Sequence, residues 1–478
     1  MKLSLQLKKL TGETFIYGIS GIISKFISLF LLPFYARKLS PAEYGDIGLL
    51  NSIYFFIVII VCLGLDSAVY RWFFDKDNKI KNVSLFNNWF SLQFKLSSII
   101  VILGVISTYW FSQKFLVSKY SEYLLLIICI NVLLNLFYLI ITEWLRINLK
   151  AKQTVLFSIG LIALSFTFSS TFILYFNLSV FGFFLGQTLA QLIVAVIAII
   201  KYPYLYRFIK VKYTVIKPLL SYGLSIIPAT LSATIMLMVT SFLIQSKLSS
   251  SSLGLYQMGN NFASIIMLFT SAFAQAWAPF SFSIMNEPNH KTFYAKVLDI
   301  YFSVVCLLAF AIALLANEFI LIIATEKFAG SARIAGILAY LYFLTSLSVI
   351  AITGMAITKK VKQYSQIVIF ASIVTIILEY VLIRFDKEGV AFGMLLGQAL
   401  IPILIFYYSQ KKYKIPYNFI KITFILILSG VLLYFSSYIH FDSILKSIAI
   451  KISIIIFLLI IILWFEKKAI LNLIKLKR

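Results

Sequence analysis

Apolar runs of about twenty residues recur along this chain, separated by short polar connections, at 14–36, 47–65, 86–111, 122–142, 155–176, 179–200, 217–246, 254–283, 297–316, 330–357, 364–384, 388–409, 417–437 and 444–465. A run of that length crosses a hydrocarbon core of roughly 30 Å as a helix. The pattern therefore predicts an all-α integral membrane protein of about fourteen transmembrane helices. Barrel strands would instead show roughly ten-residue alternation of apolar and polar positions, which is absent. The connections are short, the longest polar ones lying near Asp66–Phe86 and Asn317–Arg333, so the chain has no room for an extramembrane catalytic domain. At Ser40-Pro41-Ala42-Glu43 the residues of a capping box, with Pro at the first helical position, mark the start of the second span.

The pattern is written twice. Phe181-Gly182-Phe183-Phe184-Leu185-Gly186-Gln187-Thr188-Leu189 returns as Phe392-Gly393-Met394-Leu395-Leu396-Gly397-Gln398-Ala399-Leu400, matching at six of nine positions. Tyr17-Gly18, Lys38-Leu39-Ser40 with Gly45, and Lys152-Gln153 match Tyr222-Gly223, Lys247-Leu248-Ser249 with Gly254, and Lys362-Gln363, at offsets drifting only from 205 to 211. We expect a six-helix lobe at 1–200, a cytoplasmic linker at 201–216, a second six-helix lobe at 217–410, and two additional spans with a basic tail at 411–478. Six spans per copy is an even number, so both copies enter the membrane in the same direction, as parallel repeats do. Repeated bundles that can rock about a site at their interface point toward a transporter.

Composition agrees with a membrane chain: 61% hydrophobic, 12% charged and a mean hydropathy of +0.98. The net charge of +25 is set by topology rather than by nucleic acid. With both termini placed inside, 29 of the 42 Lys and Arg fall in inside segments, 10 outside and three within spans, as the positive-inside rule requires. Lys2, Lys8 and Lys9 precede a long span with no small-residue cleavage site, so no removable signal peptide is expected. Cys62, Cys129 and Cys306 sit in separate apolar runs and suggest neither a disulfide framework nor a metal site. No phosphate loop, metal cluster or nucleophile pairing appears, and no cofactor is expected.

Lys25 is the sharpest candidate for chemistry, about eleven residues and roughly 16 Å into the first span, where an ammonium needs a partner or an anionic ligand. The matching positions in the second copy are threonines, Thr230 or Thr234, so the fold does not demand a cation there. The eighth span carries Gln257, Asn261, Ser264, Leu268, Ser271 and Gln275 at steps of four and three, drawing a mostly polar stripe down one helix that ends beside Trp277 and Pro279. Such a stripe faces either a watery cavity or a partner helix. Its amides and hydroxyls with an indole would suit a sugar. Asp66 is a gating or proton-carrying candidate beside Arg71, with an ordinary interfacial pair as the alternative. Glu379, Lys95, Asp299 and Lys451 read first as structural or snorkelling charges. Gly182 and Gly186, like Gly393 and Gly397, have the small-xxx-small spacing of close helix packing, and Gln187 and Gln398 read as interhelical glue.

Several stretches together resemble the Wzx-type polysaccharide flippases of the multidrug/oligosaccharidyl-lipid/polysaccharide exporter superfamily. They are Leu32-Pro33-Phe34 after the Lys25 span, Leu39-Ser40-Pro41-Ala42-Glu43-Tyr44-Gly45, Gly64-Leu65-Asp66-Ser67-Ala68 with Arg71, Tyr222-Gly223-Leu224 with Pro228, Gly254-Leu255-Tyr256, and Gln275-Ala276-Trp277-Ala278-Pro279. The resemblance implies an inner-membrane flippase, not an enzyme, with two lobes around a cavity and an extra helix pair that cradles a polyprenyl tail. Its cargo would be an undecaprenyl-diphosphate-linked oligosaccharide for surface polysaccharide such as O-antigen or capsule. Its partners would be membrane lipids and the polymerase and glycosyltransferases of the same pathway. Lys25 matches the place of a cavity cation in such flippases. The substrate-binding set is then Lys25, Arg71, Gln257, Asn261, Gln275 and Trp277, and the gating or ion-coupling set Asp66 and Glu379. Family members often end the seventh span with an Asp-Arg pair where this chain has Thr240-Ser241-Phe242, so that role is absent here or has moved. The alternatives are a cation-coupled drug exporter of the same fold and, in another class, a membrane polymerase or glycosyltransferase, which would normally present a sizeable outer loop with carboxylates or arginines.

Overall fold

The computed structural model describes residues 33–74, 82–118, 120–358, 361–436 and 443–475. Among them every regular element is helical: α1 (Pro41–Cys62), α2 (Leu65–Phe73), α3 (Asn82–Phe115), α4 (Ser121–Ile147), α5 (Ala151–Leu174), α6 (Ser179–Lys201), α7 (Tyr213–Lys247), α8 (Ser250–Ala263), α9 (Ile266–Ser283), α10 (His290–Ala324), α11 (Ala332–Ser346), α12 (Ser348–Ile357), α13 (Val361–Leu382), α14 (Asp386–Lys412), α15 (Phe419–Ser436) and α16 (Ile444–Lys475), with short 3-10 turns between some of them. Each predicted span from the second to the fourteenth has its helical counterpart; of the first, only the helical end at 33–36 is among the described residues. Eleven helical stretches among the described residues are long and apolar enough to cross a membrane, or twelve when the bent pair α8–α9 counts as one.

Local chemistry sets the helix boundaries. At the start of α1 the Ser40 N–H donates to Glu43 at 2.8 Å and the Glu43 N–H donates to the Ser40 hydroxyl at 3.3 Å, the reciprocal box the sequence predicts. Ser249, its counterpart in the second copy, keeps the turn by accepting from the Ser252 N–H at 3.0 Å. The end of α1 is marked by two consecutive left-handed residues, Leu63 (φ 50°) and Gly64 (φ 63°). Gly64 is needed for a second reason: a Cβ there would stand 2.8 Å from the Gly223 carbonyl oxygen on α7.

The chain forms two compact units, Met1–Gly254 and Leu255–Arg478. Within each, the same pairings recur. In the first unit α3 packs on α4, α4 on α6 and α5 on α6; in the second α10 packs on α11, α11 on α14 and α13 on α14. The duplicated glycines explain the tightest of these. A Cβ on Gly186 would stand 2.3 Å from the Ser169 backbone nitrogen on α5, and one on Gly397 would stand 2.2 Å from the Thr375 hydroxyl on α13. Both copies thus use the same glycine to bring two helices into backbone contact, and Gln398 adds the predicted glue by donating to Thr375 at 3.0 Å.

The compact division falls at Gly254, 38 residues past the end of the proposed linker at 216, for a physical reason. The linker is packed rather than loose: Leu205 and Tyr206 are buried beside Phe86, Trp89 and Phe90. The Tyr206 hydroxyl donates to the Phe137 carbonyl at 3.0 Å, and the Ile209 and Lys212 N–H groups donate to Ser91 and Asn88 at 3.0 and 2.8 Å. Burial pushes the Tyr206 phenol well above its ordinary range, so it stays neutral. The linker therefore carries α7 directly onto α1 and α2.

Candidate functional site

The polar stripe of the eighth span is not one straight line. The helix breaks between Ala263 and Ile266, and α8 and α9 meet at 45°, so Gln257 and Asn261 lie on one segment and Gln275 and Trp277 on the other. Ser264, at the break, donates back to the Asn261 carbonyl at 2.8 Å. Gln257 and Asn261 are half-buried, while Ser271 and Gln275 are exposed. The two ends of the stripe are therefore not one continuous polar face.

Trp277 corrects the expectation of a sugar-stacking indole. Its side chain is buried at 4% exposure, its indole N–H donates to the Thr353 hydroxyl at 3.0 Å, and Phe273 and Tyr294 pack on its ring at 5.8 and 5.5 Å. A buried indole needs such a partner, and here α12 supplies it. Trp277 anchors α9 inside the second unit, which leaves no ring face for a ligand in this conformation.

Asp66 opens α2 and Arg71 closes it, and no ion pair joins them among the described residues. Arg71 instead lays its guanidinium over the ring of Tyr222, 4.7 Å from the centroid, and over Trp72 at 5.4 Å. A stacked, exposed guanidinium keeps its donors free for an anion, which a solvated pair would not. Asp66 has Cys62 and Glu143 as electrostatic neighbours, and Glu143 itself takes Arg146 at 2.7 Å. Glu379 is fully buried on α13 against Gly393 of α14, with Tyr256 nearby in the same unit. Lys25 lies outside the described residues.

Of the charges read as snorkelling, Lys95 is exposed, whereas Asp299 and Lys451 are paired inside the second unit. Lys451 on α16 bonds Glu318 on α10 at 2.6 Å, with Ser447 donating to the same carboxylate at 2.5 Å. Lys421 on α15 joins Glu466 of α16 and stands 3.6 Å from Asp299 of α10, while Ser303 donates to Glu466 at 2.8 Å. These clusters tie the two additional helices to α10. Their signal in the sequence was opposite charge on neighbouring spans: two lysines, two glutamates and Asp299 on or beside three apolar runs. One further buried acid, Asp46, lies five residues into α1 in Tyr44-Gly45-Asp46-Ile47-Gly48 and escaped notice for its closeness to the helix end.

A family profile described as a polysaccharide biosynthesis protein matches residues 34–333. A search of curated proteins finds no match. Among solved structures, the lipid II flippase MurJ in an inward closed conformation is similar with a TM-score of 0.71 at 16% identity, over 95% of this chain and 100% of that one. An inward-facing multidrug resistance transporter of the MATE family, in the MOP superfamily, is similar with a TM-score of 0.66 at 15% identity, over 81% of this chain and 94% of that one. A MOP superfamily transporter from Pyrococcus furiosus is similar with a TM-score of 0.59 at 14% identity, over 84% and 95%. At these identities the likeness establishes the fold.

Proposed function

Since the chain belongs to the polysaccharide biosynthesis protein family, we propose that it moves an undecaprenyl-diphosphate-linked oligosaccharide across a bacterial inner membrane by alternating access, with both termini on the cytoplasmic side. The observation that carries this reading is the family match over 34–333 on a chain folded like MOP superfamily transporters. The site chemistry supports it. The cargo combines a diphosphate, which wants cations, with sugars, which want amides and hydroxyls. Lys25 supplies a point charge deep in the first span, and Arg71, stacked but exposed, a planar donor fork nearer the inner surface. Gln257 and Asn261 on α8 and Gln275 on α9 supply neutral hydrogen-bonding groups, while Trp277 anchors the segment that carries Gln275. Asp66 and Glu379 are the carboxylates left for gating.

The test is a strain in which the chromosomal copy is replaced by Lys25→Ala. Surface polysaccharide should be lost while lipid-linked repeat units accumulate on the cytoplasmic leaflet and the protein remains in the membrane at normal levels. Undiminished surface polysaccharide would sink the assignment.

A further inference from the structure

Asp46 is fully buried in the first unit, and every group bonded to it is a donor. One carboxylate oxygen accepts from the Val117 and Ser118 N–H groups at 3.0 and 2.9 Å and from the Ser118 hydroxyl; the other accepts from the Gln245 amide nitrogen at 3.3 Å. These partners come from three places. Val117 and Ser118 lie in the connection between α3 and α4, and Gln245 lies on α7, the first described helix of the second repeat. The same Gln245 nitrogen donates to the Phe115 carbonyl and the Ser250 hydroxyl, both at 2.7 Å. Beside it the helices touch by backbone: a Cβ on Gly45 would stand 2.0 Å from the Ser250 carbonyl oxygen, and one on Gly254 would stand 1.8 Å from that of Pro41. Gly45 and Gly254 are equivalent positions of the duplication, so the first repeat meets the second across this pair. Asp46 has no such equivalent, because its match is Leu255.

The arrangement suits an anion and no metal ion, because a bound cation would need acceptors where four donors point. No ammonium or guanidinium pairs with Asp46 among the described residues; Lys247 at the end of α7 and Glu122 at the start of α4 do not bond to it, and α5 and α6 present no titratable partner. The remaining cation that Asp46 can take is a proton. A protonated carboxyl must donate; the oxygen that already accepts from the Val117 and Ser118 N–H groups and the Ser118 hydroxyl is the poorer seat for the proton, which therefore goes to the oxygen facing Gln245 and needs a group there that can accept it. The Gln245 amide oxygen can: it is buried and has no hydrogen-bond partner. To meet that proton the Gln245 amide must turn, and turning withdraws its nitrogen from the Phe115 carbonyl and from Ser250. One protonation therefore unties α7 from both the α3–α4 connection and the start of α8.

We propose that Asp46 is a proton-binding coupling site, in which proton uptake by its carboxylate releases the Gln245 latch and frees α7 from α1 at the end of the bundle that carries Ser40 and Ser250. The charge distribution assigns that end to the outer face, so the proton enters from outside. This rests on reading the chain as a transporter, and it gives that reading an ion-coupling group that the Thr240-Ser241-Phe242 segment lacks.

The test uses the purified full chain in lipid nanodiscs, without cargo, and reads hydrogen exchange across 115–120 and 244–252 as pH is lowered, normalised to the α13–α14 pair. Wild type should lose protection through a single midpoint. Asp46→Asn, which mimics the protonated form, should be unprotected at every pH. Ser118→Ala removes one donor to the charged form only and should move the midpoint upward by about one to two pH units, a shift that a merely structural residue would not cause. A flat wild-type profile, an unmoved midpoint in Ser118→Ala, or a wild-type profile in Asp46→Asn would overturn the proposal. If the latch titrates but a proton gradient drives no cargo movement in vesicles, the transporter reading fails and the latch stands.

Discussion

Lys451→Met tests how the two additional helices are held. The substitution keeps the length and apolar stem of the side chain and removes only the charge that faces Glu318, whose side chain is 5% exposed. Breaking a buried pair by deleting one partner costs about 3–5 kcal/mol, because the surviving charge is left uncompensated. Ser447 remains as a donor to Glu318, which places the expected cost at the lower end. Glu318→Gln should cost less, since the Lys451 ammonium can extend toward the interface on its flexible stem. The double variant Lys451→Met with Glu318→Gln leaves no buried charge and should recover most of the loss, as replaced buried pairs do. Cys306 provides a local probe: it is buried on α10 beneath α15, its thiol 3.8 Å from the Ser429 hydroxyl. In a chain whose Cys62 and Cys129 are replaced, maleimide should label Cys306 only when α15 and α16 lift. A loss of about 3 kcal/mol predicts labelling about a hundredfold faster in Lys451→Met. An unchanged rate, or a double variant as labile as the single, would refute the pinning argument.

Lys421→Met leaves two acids, Asp299 and Glu466, without their shared cation, and should label Cys306 faster still; adding Asp299→Asn and Glu466→Gln should restore protection. Gly186→Ala and Gly397→Ala should each lower the thermal midpoint of the purified protein by the equivalent of about 1–3 kcal/mol, whereas Gly160→Ala and Gly430→Ala, where a Cβ meets nothing within 4 Å, should not. Trp277→Phe orphans the Thr353 hydroxyl and should cost about 1–2 kcal/mol in unfolding assays, while Gln275→Ala, at an exposed position, should leave stability unchanged and lower flipping in a reconstituted assay. Arg71→Lys keeps the charge but loses the planar stack over Tyr222, and should weaken cargo binding nearly as far as Arg71→Ala.

Much of the fold was legible because a membrane makes its demands locally. Span length and the capping box at Ser40 are each decided within a few residues, and the structure contains them where the pattern puts them. The duplicated glycines were legible for a related reason: Gly186 and Gly397 serve one packing rule twice, so repetition exposed it. The linker at 201–216 was harder. Its Pro and basic residues read as a cytoplasmic linker, and nothing local shows that Leu205 and Tyr206 bury themselves against an aromatic cluster contributed by other segments. The break at 264–265 was hidden similarly, since neither proline nor glycine marks it and the polar spacing runs straight across. Trp277 misled because an indole near a polar stripe looks the same in sequence whether its N–H meets a sugar or Thr353.

Four acids drawn into the helix packing, Glu318, Glu466, Asp299 and Asp46, divide by the kind of partner each has, and that division bears on function. Glu318, Glu466 and Asp299 each stand beside a lysine. Protonating one of them would strand that lysine in an apolar setting, so proton exchange there is opposed and the groups serve as fasteners. Asp46 is held by neutral donors alone, and its proton would strand no opposite charge; the rearrangement it demands is a turned amide whose oxygen already lacks a partner. A carboxylate able to change charge at the cost of one hydrogen-bond exchange is suited to cycling, and a carboxylate locked to an ammonium is not. The two classes also lie differently on the repeat. The locked pairs involve α15 and α16, which have no counterpart in the duplication, whereas Asp46 sits one residue from Gly45, where equivalent residues of the two copies touch. On the proposed alternating-access reading, a proton bound there acts on a contact between the two copies, and a fastener on the additional helices does not. If Asp299→Asn with Lys421→Met and Glu466→Gln abolished proton-driven movement while the packing of α15 and α16 stayed intact, this division of labour would be wrong.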